Sequence, residues 1–259
     1  MDRRKFVAAS LATSAAALVQ NAKAQANPER LREFYQLRRY TLQTGPQAAM
    51  TEKYISEALI PALAKRGGPV GAFRLDIGPE TPTFYVLIPV QVPHAVGTLE
   101  LELAQDADYV KAAEPFWSAP AASPAFLRMD SSLLVAFEGW PRVTPPAKGK
   151  RIFQLRTYES PSYRDHILKV QMFHSGEFEI FKNAGFQPVF FGDTLIGQRM
   201  PSLTYMLSFA DLADLDAKWG VFRNDPAWKK LSADPRFAFE AIVNNITNLV
   251  LSPLPASQI

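Results

Sequence analysis

Cysteine is absent from all 259 residues, which excludes a disulfide framework, a thiolate nucleophile and thiolate metal ligands together. Histidine is nearly as scarce, with three. His166 and His174 are too far apart for the i, i+4 spacing of a helical metal pair, and His94 sits in a distant proline-flanked segment. No metal site is therefore expected. Phosphate-cradling glycine loops are missing, and so is the Gly-x-Ser-x-Gly turn that presents a serine nucleophile. Also lacking is an apolar run of about 20 residues, the length that spans a bilayer.

What the chain does have begins with an address. Arg3-Arg4-Lys5-Phe6-Val7 precedes an Ala/Ser/Leu-rich run to Val19, and Ala22-Lys23-Ala24 offers a small-x-small cleavage pattern before Gln25. Residues 1–24 read as a twin-arginine-type signal peptide, which implies a periplasmic or secreted protein. Removing them also removes the basic excess. The segment holds four of the 28 basic residues and one of the 25 acidic ones, so 24 of each remain. A neutral mature chain offers no footprint for nucleic acid or for an anionic membrane surface.

The most informative pattern is a repeat. Tyr35-Gln36-Leu37-Arg38-Arg39-Tyr40 returns as Phe153-Gln154-Leu155-Arg156-Thr157-Tyr158, 118 positions later, and the helical segments that follow end in Lys65-Arg66-Gly67 and Asn183-Ala184-Gly185 at the same offset. Each copy reads as strand, helix, strand, strand, helix, strand. In the second, Ser162 to Asn183 places Tyr163, Ile167, Val170, Phe178 and Phe181 on one helical face. Gly185 suits a left-handed helix end. Asp211, Asp225-Pro226 and Asp234-Pro235 offer helix starts.

Residues 25–138 and 151–252 thus form two units, joined by a proline-rich connector over 139–150 whose Trp140 is expected to pack down. Residues 253–259 read as a loose tail. A β-α-β-β-α-β order gives a ferredoxin-like sheet with helices on one face. The bare faces of two such sheets would be costly to expose at about 25 cal/mol per Å². The expected fold is α+β, with two tandem ferredoxin-like units packed sheet to sheet.

Four stretches carry a resemblance: Phe153 to Tyr158, Phe190-Phe191-Gly192-Asp193-Thr194-Leu195-Ile196-Gly197, Met200 to Leu207, and Phe222-Arg223-Asn224-Asp225-Pro226-Ala227-Trp228. Together they resemble the NIPSNAP family, nearly throughout the second half and more loosely in the first. The resemblance implies a fused dimeric α/β barrel. It implies no catalytic motif and no cofactor. The Gly-x-x-Asp-Gly haem signature of dye-decolorising peroxidases, another exported α/β-barrel group, is not met, since Gly192-Asp193 fails its spacing.

Strand alternation then sorts the repeated side chains. Gln36, Arg38 and Tyr40 share one face, as do Gln154, Arg156 and Tyr158. With the more apolar sets turned to the helices, these six are expected to meet across the space between the sheets. An arginine there needs a carboxylate, a group of carbonyls or an anionic ligand, since a buried charge without a partner is expensive. The six are a ligand pocket or a structural network, and the second is preferred because buried polar groups are mostly paired for structural reasons. His174, in the apolar stripe, is expected to be shielded. A satisfied core histidine is its simplest reading.

Two functions follow. In the first, an exported protein binds a small acidic or amphipathic molecule, or a protein partner, through its barrel interior. In the second, a cofactor-independent oxygenase or isomerase uses His174 or Tyr158 as acid or base, with Arg156 as electrostatic stabiliser. Oligomeric state is left open.

Overall fold

The computed structural model describes residues 32–259, so the expected signal peptide and its cleavage point lie outside the described residues. The first unit contains β1 (Phe34–Thr41), β2 (Gly71–Ile77), β3 (Thr83–Val90) and β4 (Arg128–Ala136). Helix α1 runs Pro46–Tyr54, widens into a π turn at Ile55–Leu59 and closes at Ile60–Ala64. Helices α2 (His94–Leu103) and α3 (Ala107–Trp117) follow β3.

The second unit repeats the plan with β5 (Ile152–Glu159), β6 (Gln187–Ile196), β7 (Ser202–Phe209) and β8 (Asn245–Pro253). Its α4 runs Tyr163–Met172, passes through a π turn at Phe173–Glu177 and ends in Phe178–Asn183. Helices α5 (Leu212–Asn224), α6 (Pro226–Ser232) and the short α7 (Phe239–Ile242) complete it. The two π turns stand at the same offset as the hexamers. The repeat therefore extends to a helix irregularity, a feature that often marks function.

Local chemistry explains the boundaries. Ser162 accepts from the Asp165 N–H at the start of α4, Asp211 accepts from Asp214 N–H at α5, and Asp225 caps α6 with Pro226 behind it. Gly185 has φ 76°, which suits the turn after α4.

All eight strands close into one antiparallel barrel in the order β1-β3-β2-β8-β5-β7-β6-β4. Within it, β4-β1-β3-β2 and β8-β5-β7-β6 are the two ferredoxin-like sheets. They face each other as expected, and their edges are also zipped, β2 to β8 and β4 to β6. Closure leaves no open sheet edge.

The core falls into three parts. Tyr35, Phe73, Leu87, Phe153, Phe190, Met206 and Leu251 fill the barrel, while each sheet's outer face buries a separate cluster under its helices. Residues after Pro253 are anything but loose. Leu254 and Ile259 are buried, and the Leu254 and Gln258 N–H groups donate to the Ala72 and Val70 carbonyls at 2.8 and 2.9 Å. Two large apolar side chains and a continued ladder hold them. Trp140 packs on Phe178 and Phe191.

Candidate functional site

The alternation along β1 and β5 is as expected, but its direction is the reverse. Tyr35, Phe153 and Leu155 point into the barrel, whereas Gln36, Arg38, Tyr40, Gln154, Arg156 and Tyr158 point outward to the helices. An eight-stranded barrel is only wide enough for its own side chains, and apolar ones fill it at no polar cost. The helix layers can supply partners for arginine and the barrel centre cannot. The six therefore do not meet across an interior. The barrel has a recess of about 120 Å³ at one mouth, with Arg39, Asp130, Gln198 and Arg199 among its lining.

Each triad lies under its own helices, and the two have different fates. In the first unit Arg38 is fully buried, its Nη2 lies 2.6 Å from Glu100 Oε1 on α2, and it donates to Gln36 Oε1 at 3.0 Å. Tyr40 packs on Phe116 and Phe126. This is the structural network.

In the second unit the same residues floor a cavity of about 510 Å³ between the sheet and the helices. Gln154, Arg156 and Tyr158 come from β5, and Ile246 and Asn248 from β8. The walls are Leu215, Trp219 and Phe222 of α5 and Trp228 of α6, with Asp216 and Arg223 exposed at the rim. Register sets the floor, because Arg156 stands opposite Tyr205 on one side and Asn248 on the other.

Arg156 makes no ion pair among the described residues. Its Nη2 donates to the Tyr158 hydroxyl at 2.9 Å, its guanidinium carbon lies 4.3 Å from the Trp219 ring centre, and its Nε is buried without a partner. Trp219 is held in turn, its Nε1–H donating to Gln154 Oε1 at 2.8 Å. The residue at the repeat offset from Glu100 is Lys218, which pairs with Asp214 on the same helix. The second copy has thus lost the carboxylate that satisfies the first.

Glu177, in the π turn, also lines this cavity. Its Oε2 accepts from Lys169 Nζ at 2.8 Å, and both side chains are almost wholly buried. Oε1 takes no hydrogen bond among the described residues. Burial pushes the Glu177 carboxyl upward, and Lys169 and Arg156 only partly oppose this. The repeat offset makes the counterparts of Lys169 and Glu177 Thr51 and Leu59, both buried and neutral. The pair is therefore no requirement of the fold. Gly176 precedes Glu177 with φ 131°, a conformation glycine adopts without strain.

His174 lies elsewhere. It is exposed, in a recess with Arg32, Glu138 and Asp193, and does not line the cavity that Arg156 and Tyr158 share. Nδ1–H donates to the Val170 carbonyl at 2.9 Å and Nε2 accepts from Gly139 N–H at 3.1 Å. The expectation of a shielded ring assumed a regular period, and the π turn shifts the helix face at this point. The buried histidine is His166, whose Nε2 lies 2.7 Å from Asp193 Oδ1. Sequence reasoning missed Glu177 and Trp219 as cavity residues, and Lys169 as the buried partner of Glu177. The signal available was charge at 169 and 177 where the first copy has Thr51 and Leu59. Among the described residues no group of three His, Asp or Glu could hold a metal ion, and no helix is long and apolar enough to cross a membrane.

Residues 153–258, which span the second unit, match the NIPSNAP family model. No curated protein matches the chain. A protein from Lactobacillus acidophilus, provisionally named a monooxygenase, is 11% identical, with 88% of this chain and 97% of that chain covered at a TM-score of 0.58. An anthrone oxidase-like protein is 10% identical, with 87% and 92% covered at 0.51. At these identities the likeness shows the barrel fold alone. A NIPSNAP-like domain protein from Burkholderia xenovorans is 16% identical, covering 42% of this chain and 89% of that chain at a TM-score of 0.37.

Proposed function

We propose that the NIPSNAP unit binds one small, acidic, largely aromatic molecule per chain, in the cavity between its sheet and its α5 and α6 helices. The observation that carries this reading is Arg156. Its copy Arg38 is ion-paired with Glu100, while Arg156 faces its cavity with no ion pair among the described residues, attracted only from a distance by Glu177. Lys169 and Glu177 cancel, so one positive charge is left for a ligand anion to neutralise. Trp219, Phe222 and Trp228 give a flat apolar body a wall to stack on.

Native mass spectrometry of the protein purified from its own source tests this directly. A retained mass of a few hundred daltons in the wild type, absent from Arg156→Ala, supports the reading. Equal retention by both proteins sinks it.

The same reading takes the protein to be exported, on the strength of Arg3-Arg4 and Ala22-Lys23-Ala24. N-terminal sequencing of the periplasmic form is expected to begin at Gln25, and Arg3→Lys with Arg4→Lys to hold the protein in the cytoplasm. Periplasmic recovery of that double variant with residues 1–24 intact would refute it.

A further inference from the structure

We infer that Glu177 is a catalytic base, and that the ligand of this cavity is an enolisable aromatic 2-oxo acid whose keto and enol forms the protein interconverts. The inference rests on the Arg156 binding reading and adds chemistry to it.

Four observations lead here. Glu177 is buried, lines the cavity and has one oxygen tied to Lys169, with the other taking no hydrogen bond among the described residues. Its counterpart in the first copy is Leu59, fully buried in the core, so the fold accepts an apolar side chain at this place. The π turn that carries Glu177 continues with Gly176, whose backbone turns out of helical geometry immediately before the carboxylate. Finally, Arg156 stands on the same cavity floor, its guanidinium oriented by donating to the Tyr158 hydroxyl, which also bonds the Tyr205 hydroxyl at 3.0 Å, so a fixed positive charge faces the ligand space.

A buried carboxylate beside cations is a poor structural choice, because taking both charges out of water offsets much of their attraction. It is a good catalytic one. A weakly solvated carboxylate is a stronger base towards a carbon acid. Lys169 donates to Oε2 at 2.8 Å and fixes the orientation of the carboxyl group.

The step balances without any added reagent. Glu177 Oε1 takes a proton from the carbon next to the ketone, and that C–H electron pair becomes the new carbon–carbon double bond. The carbonyl π pair moves onto oxygen, where Arg156 stabilises the charge. Glu177 then returns the same proton to that oxygen, giving the enol. Nothing is oxidised or reduced, and the reverse path runs through the same groups. The enolate oxygen of a 2-oxo acid stands beside its carboxylate, so the one Arg156 fork can hold both, and its contact with the enolate exists only along this path.

Phenylpyruvate is the probe, because it carries the carboxylate, the ring and the acidic C–H in one molecule. Its tautomerisation is followed by the loss of enol absorbance, and its binding by tryptophan fluorescence. The wild type is expected to accelerate tautomerisation with saturation. Glu177→Gln is expected to bind phenylpyruvate within a few-fold of wild type and to lose about 100-fold or more in rate, the size of a general-base contribution. A second variant guards against misfolding. Lys169→Thr with Glu177→Leu copies the neutral pair of the first unit, and should stay folded and inactive.

The outcomes separate. Phenylpyruvate that binds in an Arg156-dependent way without acceleration, or undiminished acceleration by Glu177→Gln, overturns this inference and leaves the binding reading standing. Absence of Arg156-dependent binding of phenylpyruvate overturns the inference too, and retention of a different native ligand then decides the binding reading by itself.

Discussion

Arg38 and Arg156 occupy the same place in the two copies of the repeat, yet only Arg38 has a carboxylate within ion-pair distance, Glu100 Oε1 at 2.6 Å. The two arginines should therefore behave differently when removed. Arg38→Ala strips the partner from the buried Gln36 and empties a fully buried position, while Glu100 is half exposed and can be hydrated. A buried polar group left unsatisfied costs about 1–3 kcal/mol, and the lost packing of the arginine stem adds to it. Arg156→Ala loses a cation–π contact with Trp219 and a hydrogen bond to Tyr158 at a cavity edge. A cation–π contact is worth about 0.5–2 kcal/mol, so the loss should be the smaller. Urea denaturation of the two variants measures both. Equal losses would make Arg156 a structural residue like its copy.

Glu177 makes stability depend on pH in a defined direction. Burial raises its folded value above that of the unfolded chain. Between those two values the folded state holds a proton that the unfolded state has released. Stability then falls as pH rises through that window, because the folded state is the one binding more protons. Below the ordinary glutamate range the effect vanishes, and above the raised value it is complete. Denaturation midpoints across that window should decline more steeply for wild type than for Glu177→Gln, which has no proton to lose. Parallel curves would show that Glu177 ionises as an ordinary carboxyl.

Much of this architecture could be read from the chain, and the part that could not has a physical cause. Hydrophobic period gives which residues share a face, and it did so for Gln36, Arg38 and Tyr40. Period alone does not say which face is inside when both are covered, and here both are: the barrel side by Phe73 and Phe153, the helix side by α1 and α4. Composition misled because Tyr40 and Tyr158 count as polar in a hexamer but are deeply buried with the helices. The site was half legible. Gln154, Arg156 and Tyr158 carry it, whereas Trp219 and Glu177 come close to them only through the crossing of α5 and the widened turn of α4. A π turn leaves no mark in an apolar pattern that assumes a regular helix.

His174 is expected to matter for stability and not for ligand. Its Nε2 accepts from Gly139 N–H and so ties the start of the connector to α4. His174→Ala should lower stability by about 0.5–1.5 kcal/mol, the net value of one such hydrogen bond. Its ligand retention should match wild type, because His174 lies outside the Arg156 cavity. Calorimetry and native mass spectrometry on one preparation check both halves. Loss of ligand with stability unchanged would return His174 to the site.

The last six residues should prove part of the barrel. Val70 N–H donates to Gln258 Oε1 at 2.8 Å and Ala72 N–H to Ser257 Oγ at 3.0 Å, so the segment extends the pairing of β8 along the start of β2. Ile259 reaches back into the barrel core, where a Cβ on Gly71 would stand 3.0 Å from its Cδ1. Burying Leu254 and Ile259 contributes about 1.5–3 kcal/mol each, and deletion leaves the Val70 and Ala72 N–H groups without these partners as well. Removal of residues 254–259 should then take a large share of a domain's usual 5–15 kcal/mol. Ile259→Ala alone should cost about 2–5 kcal/mol as a buried large-to-small change. Chemical denaturation of the truncated and substituted proteins measures each. A truncated chain as stable as the full one would mean that β2 and β8 hold the barrel closed without it.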